Sequence, residues 1–216
     1  MRNAALSSGS RSIANVFGKH IIQKWLAIAL LLIIAPVLAA IAVRIVLTDG
    51  APVLYRSRRV GFGGREFYMF KFRTMPVNGD ALLSEHLQRD HAAAEEWRAI
   101  RKLRNDPRIS RFGRFLRKTS LDEIPQLINI ARGEMSFVGP RPLPPAEIAR
   151  YGEHFPAYCS VMPGLTGLWQ VSGRSDTSYE QRVALDVQYV RSRSMLLDWK
   201  ILLLTVPAVI LRRGAV

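Results

Sequence analysis

At 216 residues, 49% of them apolar, the chain can bury one real core, and 31 Lys and Arg against 17 Asp and Glu leave a formal charge of +14. That balance points to an anionic partner. The single Cys159 excludes an internal disulfide, and no Cys/His cluster offers zinc-ligand spacing. With no neighbouring His to activate it, Cys159 reads as a small buried filler.

In chain order, residues 1 to 12 are rich in Ser, Arg and Ala and read as disordered, within a basic leader spanning 1–20. Trp25 to Val43 then gives 19 residues without a charge, enough to cross a bilayer, but Pro36 stands near the middle. A proline there removes one hydrogen bond and crowds the carbonyl of Leu32. Basic residues flank both ends: Arg2, Arg11, Lys19 and Lys24 before the run, and Arg44, Arg56, Arg58 and Arg59 after it. Charge therefore does not choose between the ends, and both can face the cytoplasm. The residues alone leave open a straight span and a re-entrant segment over 21–48 broken at Ala35 and Pro36. The long charged leader argues against a cleaved signal peptide.

Val53 to Val60 and Arg65 to Met75 read as extended segments joined at Gly61-Phe62-Gly63-Gly64, a hairpin. Alternation along the second puts Lys71 and Arg73 on one face and Phe70 and Phe72 on the other. Residues 80 to 104 read as one charged helix with an irregular apolar stripe. A dense basic stretch follows, from Arg101 through Arg108, Arg111, Arg114 and Arg117 to Lys118. It could contact nucleic acid, but no nucleic-acid motif accompanies it, and a membrane segment upstream makes anionic headgroups or a phosphorylated lipid the more natural partner.

Asp122 and Glu123 are adjacent acids in this basic setting, which suggests chemistry on a bound phosphate. The competing reading is a helix start: Ser120 and Glu123 have capping-box spacing, or Asp122 caps with Pro125 in the first turn. Leu121, Ile124, Leu127 and Ile128 carry the helical period, and Gly133 supplies the stop. Two Gly- and Pro-rich loops, 136–142 and 163–174, each present an arginine suited to bidentate phosphate contact, Arg141 and Arg174. Ser178 and Gln181 form a second capping-box signal, opening a helix with Ala184, Val187 and Val190 on one face. The apolar Ile201 to Leu211, interrupted by Pro207, is too short to span and either lies at a membrane interface or packs on the core.

The combination of Lys71-Phe72-Arg73-Thr74-Met75, Arg117 with Ser120-Leu121-Asp122-Glu123, Met135 through Pro142, Pro163 through Arg174, and Leu185 to Val190 with Asp198 resembles the bacterial sugar transferase family. These are monotopic phosphoglycosyl transferases, and the likeness is to the short, exopolysaccharide-type members. The resemblance implies a mainly helical α+β fold: a small β-hairpin and helices on the membrane surface, anchored by the re-entrant helix, with 49–216 as the cytoplasmic catalytic domain. Where the family has Ser-Pro at the membrane break, this chain has Ala35-Pro36 and lacks the hydroxyl.

The implied reaction moves a sugar 1-phosphate from a UDP-sugar, galactose or glucose, to undecaprenyl phosphate and releases UMP. It would start exopolysaccharide or related glycan synthesis at the bacterial inner membrane. By the same resemblance Asp122 is the covalent nucleophile and Glu123 helps hold Mg2+. Lys71, Arg117 and Arg141 contact phosphate, Arg73 contacts substrate, and Arg174 and Asp198 contact substrate or orient a cation. A non-catalytic membrane-anchored scaffold and a nucleic-acid binder are the alternatives; neither explains the acid pair together with the Pro-Arg-Pro loop.

Overall fold

The computed structural model describes residues 3–100, 103, 105–172 and 178–210, excepting the side chains of 3–17, 99–100 and 209–210. A long helix, α1 (Asn3–Asp49), leads into an antiparallel hairpin of β1 (Leu54–Val60) and β2 (Glu66–Phe72). Then come α2 (Gly79–Arg89), α3 (His91–Ile100), α4 (Arg111–Lys118), a 3-10 segment at Leu121–Gln126, and α5 (Leu127–Arg132). A second, parallel pair joins β3 (Ser136–Val138) to β4 (Gly164–Thr166). The remaining helices are α6 (Ile148–Tyr151), α7 (Phe155–Cys159), α8 (Leu168–Ser172), α9 (Tyr179–Ser192) and α10 (Met195–Ile210). This is the mainly helical α+β architecture the sequence implies.

The stretch Gly18–Asp49 of α1 is long and apolar enough to cross a membrane. Pro36 lies inside the helix and not at an interruption of it, and the helix already includes residues of the leader from Asn3 onward. Proline costs the helix one donor, and the turns on either side are held by packing. Ala27, Leu30, Leu31 and Ile34 sit against Met69, Leu127, Ile130 and Met135. Leu38, Ile41, Ala42 and Ile45 sit against Phe72 and Leu116. From Ala27 to Ile45 is about five turns at 3.6 residues each, so one face of α1 meets the domain on both sides of Pro36. The other face leaves Ile22, Trp25, Leu32, Ile33, Val37 and Leu47 exposed.

Polar contacts fix the same register. The Gln23 side-chain oxygen accepts from Ser136 Oγ at 2.7 Å and from the Phe137 N–H at 3.0 Å. Lys19 pairs with Asp198. At the far end, the Arg73 guanidinium donates to the carbonyls of Asp49, Gly50 and Ala51, closing the C-terminus of α1.

In the hairpin, Tyr55 pairs with Lys71 and Arg59 with Phe67, so Tyr55, Ser57, Arg59 and Lys71 share one face. The edge of β2 is gripped by Asn129, which is fully buried: its Oδ1 accepts from the Phe70 N–H at 3.1 Å and its Nδ2 donates to the Tyr68 carbonyl at 2.7 Å. That amide locks α5 to β2 as an added strand would.

Three local expectations are corrected. The charged segment 80–104 is two helices, because Asp90 adopts an extended conformation and its carboxylate accepts from the Ala93 N–H at 3.0 Å, starting α3 anew. The two Gly- and Pro-rich loops contribute the strands β3 and β4, whose backbones approach so closely at Gly139 and Gly164 that a Cβ on either would collide. The buried face of α9 is Val183, Asp186, Val187 and Tyr189, with Ala184 exposed. The Ser178–Gln181 capping box forms with both hydrogen bonds. α10 buries Ile201 on Val138 and Tyr189 and exposes Met195, Leu196, Trp199 and Leu203.

Asn129→Ala should lower stability by about 2 to 4 kcal/mol, since it strands a buried N–H and a buried C=O. Denaturant unfolding of the detergent-solubilised chain measures this; a loss under about 0.5 kcal/mol would show that water replaces the amide.

Candidate active site

The face of the hairpin that carries Lys71 looks across a cleft of about 1240 Å³ at the segment holding Asp122 and Glu123. Eight basic and three acidic side chains line it, so the cleft concentrates the positive charge of the chain. Helix α4 delivers one wall. Ser110 caps it, accepting from the Gly113 N–H at 2.9 Å. Gly113 lets it approach the segment that follows β2, because a Cβ there would stand 2.5 Å from the Thr74 carbonyl oxygen. One turn later Arg117 Nε donates to Thr74 Oγ1 at 2.8 Å, inside the cleft.

The chain between α4 and α5 decides how the acid pair reads. Ser120 has φ +57°, a left-handed conformation rare outside glycine, and its side chain makes no cap. Asp122 and Glu123 lie inside the 3-10 segment, with the Glu123 N–H donating to the Ser120 carbonyl at 3.2 Å. Neither capping arrangement forms, so the carboxylates are free for another role. Gly133, at φ +78°, ends α5 as the sequence indicates.

Asp122 is only 9% exposed, and burial, then the neighbouring Glu123, raises its pKa to about 6 against the opposing pull of Lys71 and Arg117. Glu123 accepts from Lys71 Nζ at 2.6 Å. Burial depresses the Arg117 pKa while the Asp122 charge works the other way. A carboxyl with its pKa raised to about 6 among cations is a group poised to gain or lose charge within the ordinary pH range.

The structure thus brings Asp122, Glu123, Lys71, Arg73, Arg117 and Arg141 to one cleft. Arg73 lines it while its guanidinium serves the end of α1. Asp198 is elsewhere: it accepts from Tyr189 at 2.7 Å and pairs with Lys19, joining α9, α10 and α1. Arg174 lies outside the described residues. Ala35 and Pro36 are in α1, remote in sequence from the cleft-lining residues.

Several lining residues escape sequence reading as a site. Arg59 follows from β-alternation once the register with Lys71 is known, and Arg182 from lying one helical turn before Asp186 on α9. Trp169, in α8, carries the guanidinium carbons of Arg141 and Arg182 over its ring, 5.6 and 4.9 Å from the centroid. Asp186 is 2% exposed and accepts from the Tyr151 hydroxyl at 2.7 Å. Burial raises its pKa to about 7, opposed by that hydrogen bond and by Arg141. Tyr158 ties the same loop down, donating to the Val60 carbonyl at 2.6 Å and accepting from the Leu143 N–H at 3.0 Å.

The chain is similar to known proteins over almost all of its length. The sequence model of the bacterial sugar transferase family matches residues 14–212. The exopolysaccharide production protein ExoY of Rhizobium meliloti (strain 1021) is 50% identical over 185 residues, covering 86% of this chain and 82% of that protein. The UDP-galactose-lipid carrier transferase of Erwinia amylovora is 49% identical over 189 residues, 88% of this chain and 39% of the larger protein. The undecaprenyl-phosphate galactose phosphotransferase of Salmonella typhimurium (strain LT2) is 44% identical over 189 residues, 88% of this chain and 40% of that one. With its acid pair uncapped in a basic cleft and the family match spanning that whole cleft, the chain belongs to the bacterial sugar transferase family.

Proposed function

We propose that this transferase moves a sugar 1-phosphate from a UDP-sugar, with galactose or glucose as the sugar, to undecaprenyl phosphate, through a covalent phosphosugar on Asp122. The observation that carries the reading is a buried, uncapped Asp122 facing Lys71 and Arg117 across a basic cleft. The names of the Erwinia and Salmonella relatives support the substrate classes. In the first step an Asp122 carboxylate oxygen attacks the sugar-bearing phosphorus, and the bond to the bridging oxygen breaks with its electrons left on UMP. In the second, an oxygen of the lipid phosphate attacks the same phosphorus and the Asp122 carboxylate leaves. Lys71, Arg117 and Arg141 offset the repulsion between anionic nucleophile and anionic substrate. Two basic residues of the stretch, Arg108 and Arg117, turn into the cleft, which favours a small anionic substrate over a nucleic-acid surface.

Mg2+ fits these residues. Among the described residues no group of three or more His, Cys, Asp or Glu could hold a metal. The adjacent pair suits an ion that takes one or two carboxylates and fills its shell with phosphate oxygens and water. Glu123 would hold it, and when bound it would neutralise diphosphate charge.

The reading places the chain at the bacterial inner membrane with the cleft toward the cytoplasm. The exposed apolar faces of α1 and α10 supply the membrane contact. From Lys19 to Ile45 the rise is about 39 Å, longer than a hydrocarbon core of about 30 Å, and both ends contact the same charged domain. A transbilayer helix would drag that domain into lipid, so both flanks of α1 lie on one side.

Asp122→Asn should abolish the phosphosugar adduct seen by intact-protein mass spectrometry with UDP-galactose and no lipid acceptor; an adduct on the variant would rule the nucleophile out. In the parent the single-turnover rate should climb about tenfold per pH unit below about 6 and level off above it, as the carboxyl ionises. Because its folded pKa lies above the ordinary value, Asp122 favours the folded state at low pH and that contribution is lost as pH rises through about 6. The Asn variant should therefore melt no lower than the parent at pH 8, and a lower melting point would mean the charge is stabilising.

EDTA should stop turnover and Mg2+ restore it. Glu123→Gln should raise the Mg2+ requirement about tenfold or more. The variant loses a half-exposed ion pair with Lys71, worth about 1 kcal/mol at most, so its melting temperature should fall by no more than about 4 °C. Full turnover in EDTA contradicts the metal's role.

A further inference from the structure

Of the eight basic residues lining the cleft, four have a hydrogen-bond or ion-pair partner, and Arg56 is exposed over the Phe70 ring. Lys71 holds Glu123, Arg117 holds Thr74, Arg108 is clamped by Asp106, and Arg73 donates to carbonyls. Arg59, Arg141 and Arg182 do not: among the described residues no carboxylate lies within ion-pair distance of any of them. The Nε atoms of Arg59 and Arg182, like that of Arg73, are buried with no acceptor among the described residues. Burial, and then the nearby Arg141 charge, lowers the Arg59 pKa, with Glu147 giving a weaker opposing attraction.

Three elements distant in sequence bring these groups together: β1, the loop after β3, and α9. Trp169 seats two of them over its ring, an arrangement that orients planar guanidiniums. Tyr158 fixes the loop that carries Arg141, accepting from the Leu143 N–H. Crowded cations without counter-ions, two of them half-buried, cost stability, and a ligand with several anionic oxygens offsets that cost. A phosphate matches the forked donors.

We infer that Arg59, Arg141 and Arg182 form a second phosphate station in the cleft, distinct from the one at Asp122, which receives the nucleoside-side phosphate of a sugar nucleotide. The inference rests on the transfer reading given above. When Asp122 displaces the bridging oxygen, the electron pair of the broken P–O bond stays on the nucleoside monophosphate and no proton need move. The charge therefore grows on the phosphate that these guanidiniums hold, where preorganised donors help the transition state most.

Calorimetric titration of UMP into the full chain in detergent micelles tests this, with uridine as the phosphate-free control. Arg59→Gln and Arg182→Gln should each weaken UMP binding tenfold or more, leave uridine binding unchanged and melt no lower than the parent, since cation crowding is relieved. UMP affinity within twofold of the parent, or an equal loss of uridine binding, overturns the assignment. If the Gln variants fail to fold, Arg59→Lys and Arg182→Lys carry the test, with a loss of threefold or more expected and an unchanged affinity overturning it. A second arm separates the two possible phosphates. Variants that form the adduct from UDP-galactose at the parent rate, but discharge it slowly on adding undecaprenyl phosphate, would assign the station to the lipid and overturn the nucleotide assignment. A parent that binds UMP through these arginines but forms no adduct would keep the station and refute the covalent transfer instead.

Discussion

The packing of one stripe of α1 against the hairpin, α4 and α5 is the contact on which the rest of the molecule depends. Ala27 and Ile45 are fully buried ends of that stripe, five helical turns apart. Between them α1 covers Met69 and Phe72 of β2, Leu116 of α4, and Leu127 and Ile130 of α5. Those are the elements that carry Lys71, Arg117 and the segment of Asp122. Without α1 the scaffold of the cleft would expose its apolar underside, so the long apolar helix and the floor of the cleft are one unit of structure.

The cleft then sits at odds with stability. Asp122 is buried enough to resist ionising, Ser120 is held in a left-handed conformation beside it, and three arginines share a wall without counter-ions among the described residues. Each departs from what an ordinary core or surface would tolerate, and each lies on the cleft. Compensation comes from neutral groups around the site. Asn129 closes the edge of β2, Tyr158 bridges Val60 and Leu143, and Trp169 seats two guanidiniums. These contacts hold the backbone around the crowded charge in place.

How much of this is legible in the sequence depends on the range of the interaction. The hairpin, the Gly133 stop and the Ser178 cap depend on neighbours a few residues away, and they form where the residues place them. The acid pair is ambiguous locally, because Ser-x-x-Glu spells a cap and a site equally well; the φ of Ser120, set by how α4 meets the 3-10 segment, decides it. Alternation puts Lys71 and Arg73 on one face, but not the fact that Arg73 turns to the end of α1. Asp198 is named by motif and not by place: Lys19, 179 positions away, claims it. Arg59 and Arg182 look like ordinary solvated cations until tertiary packing carries β1 and α9 to the same wall. Pro36 signals a break by its chemistry, and packing on both sides keeps it within one helix.

If α1 stays on the domain along its whole apolar length, its two flanks cannot lie on opposite sides of a bilayer. Single cysteines at the flanks test this most directly: Gly18→Cys and Thr48→Cys, each in a Cys159→Ser background, at positions with room for the side chain or already exposed. An impermeant thiol reagent is applied to the periplasmic face of intact inner membranes and again after permeabilisation. Neither cysteine should react from the periplasm, and both should react once the cytoplasmic side is opened. Labelling of one position from the periplasm would restore a straight span and contradict the shared surface of α1 and the catalytic floor.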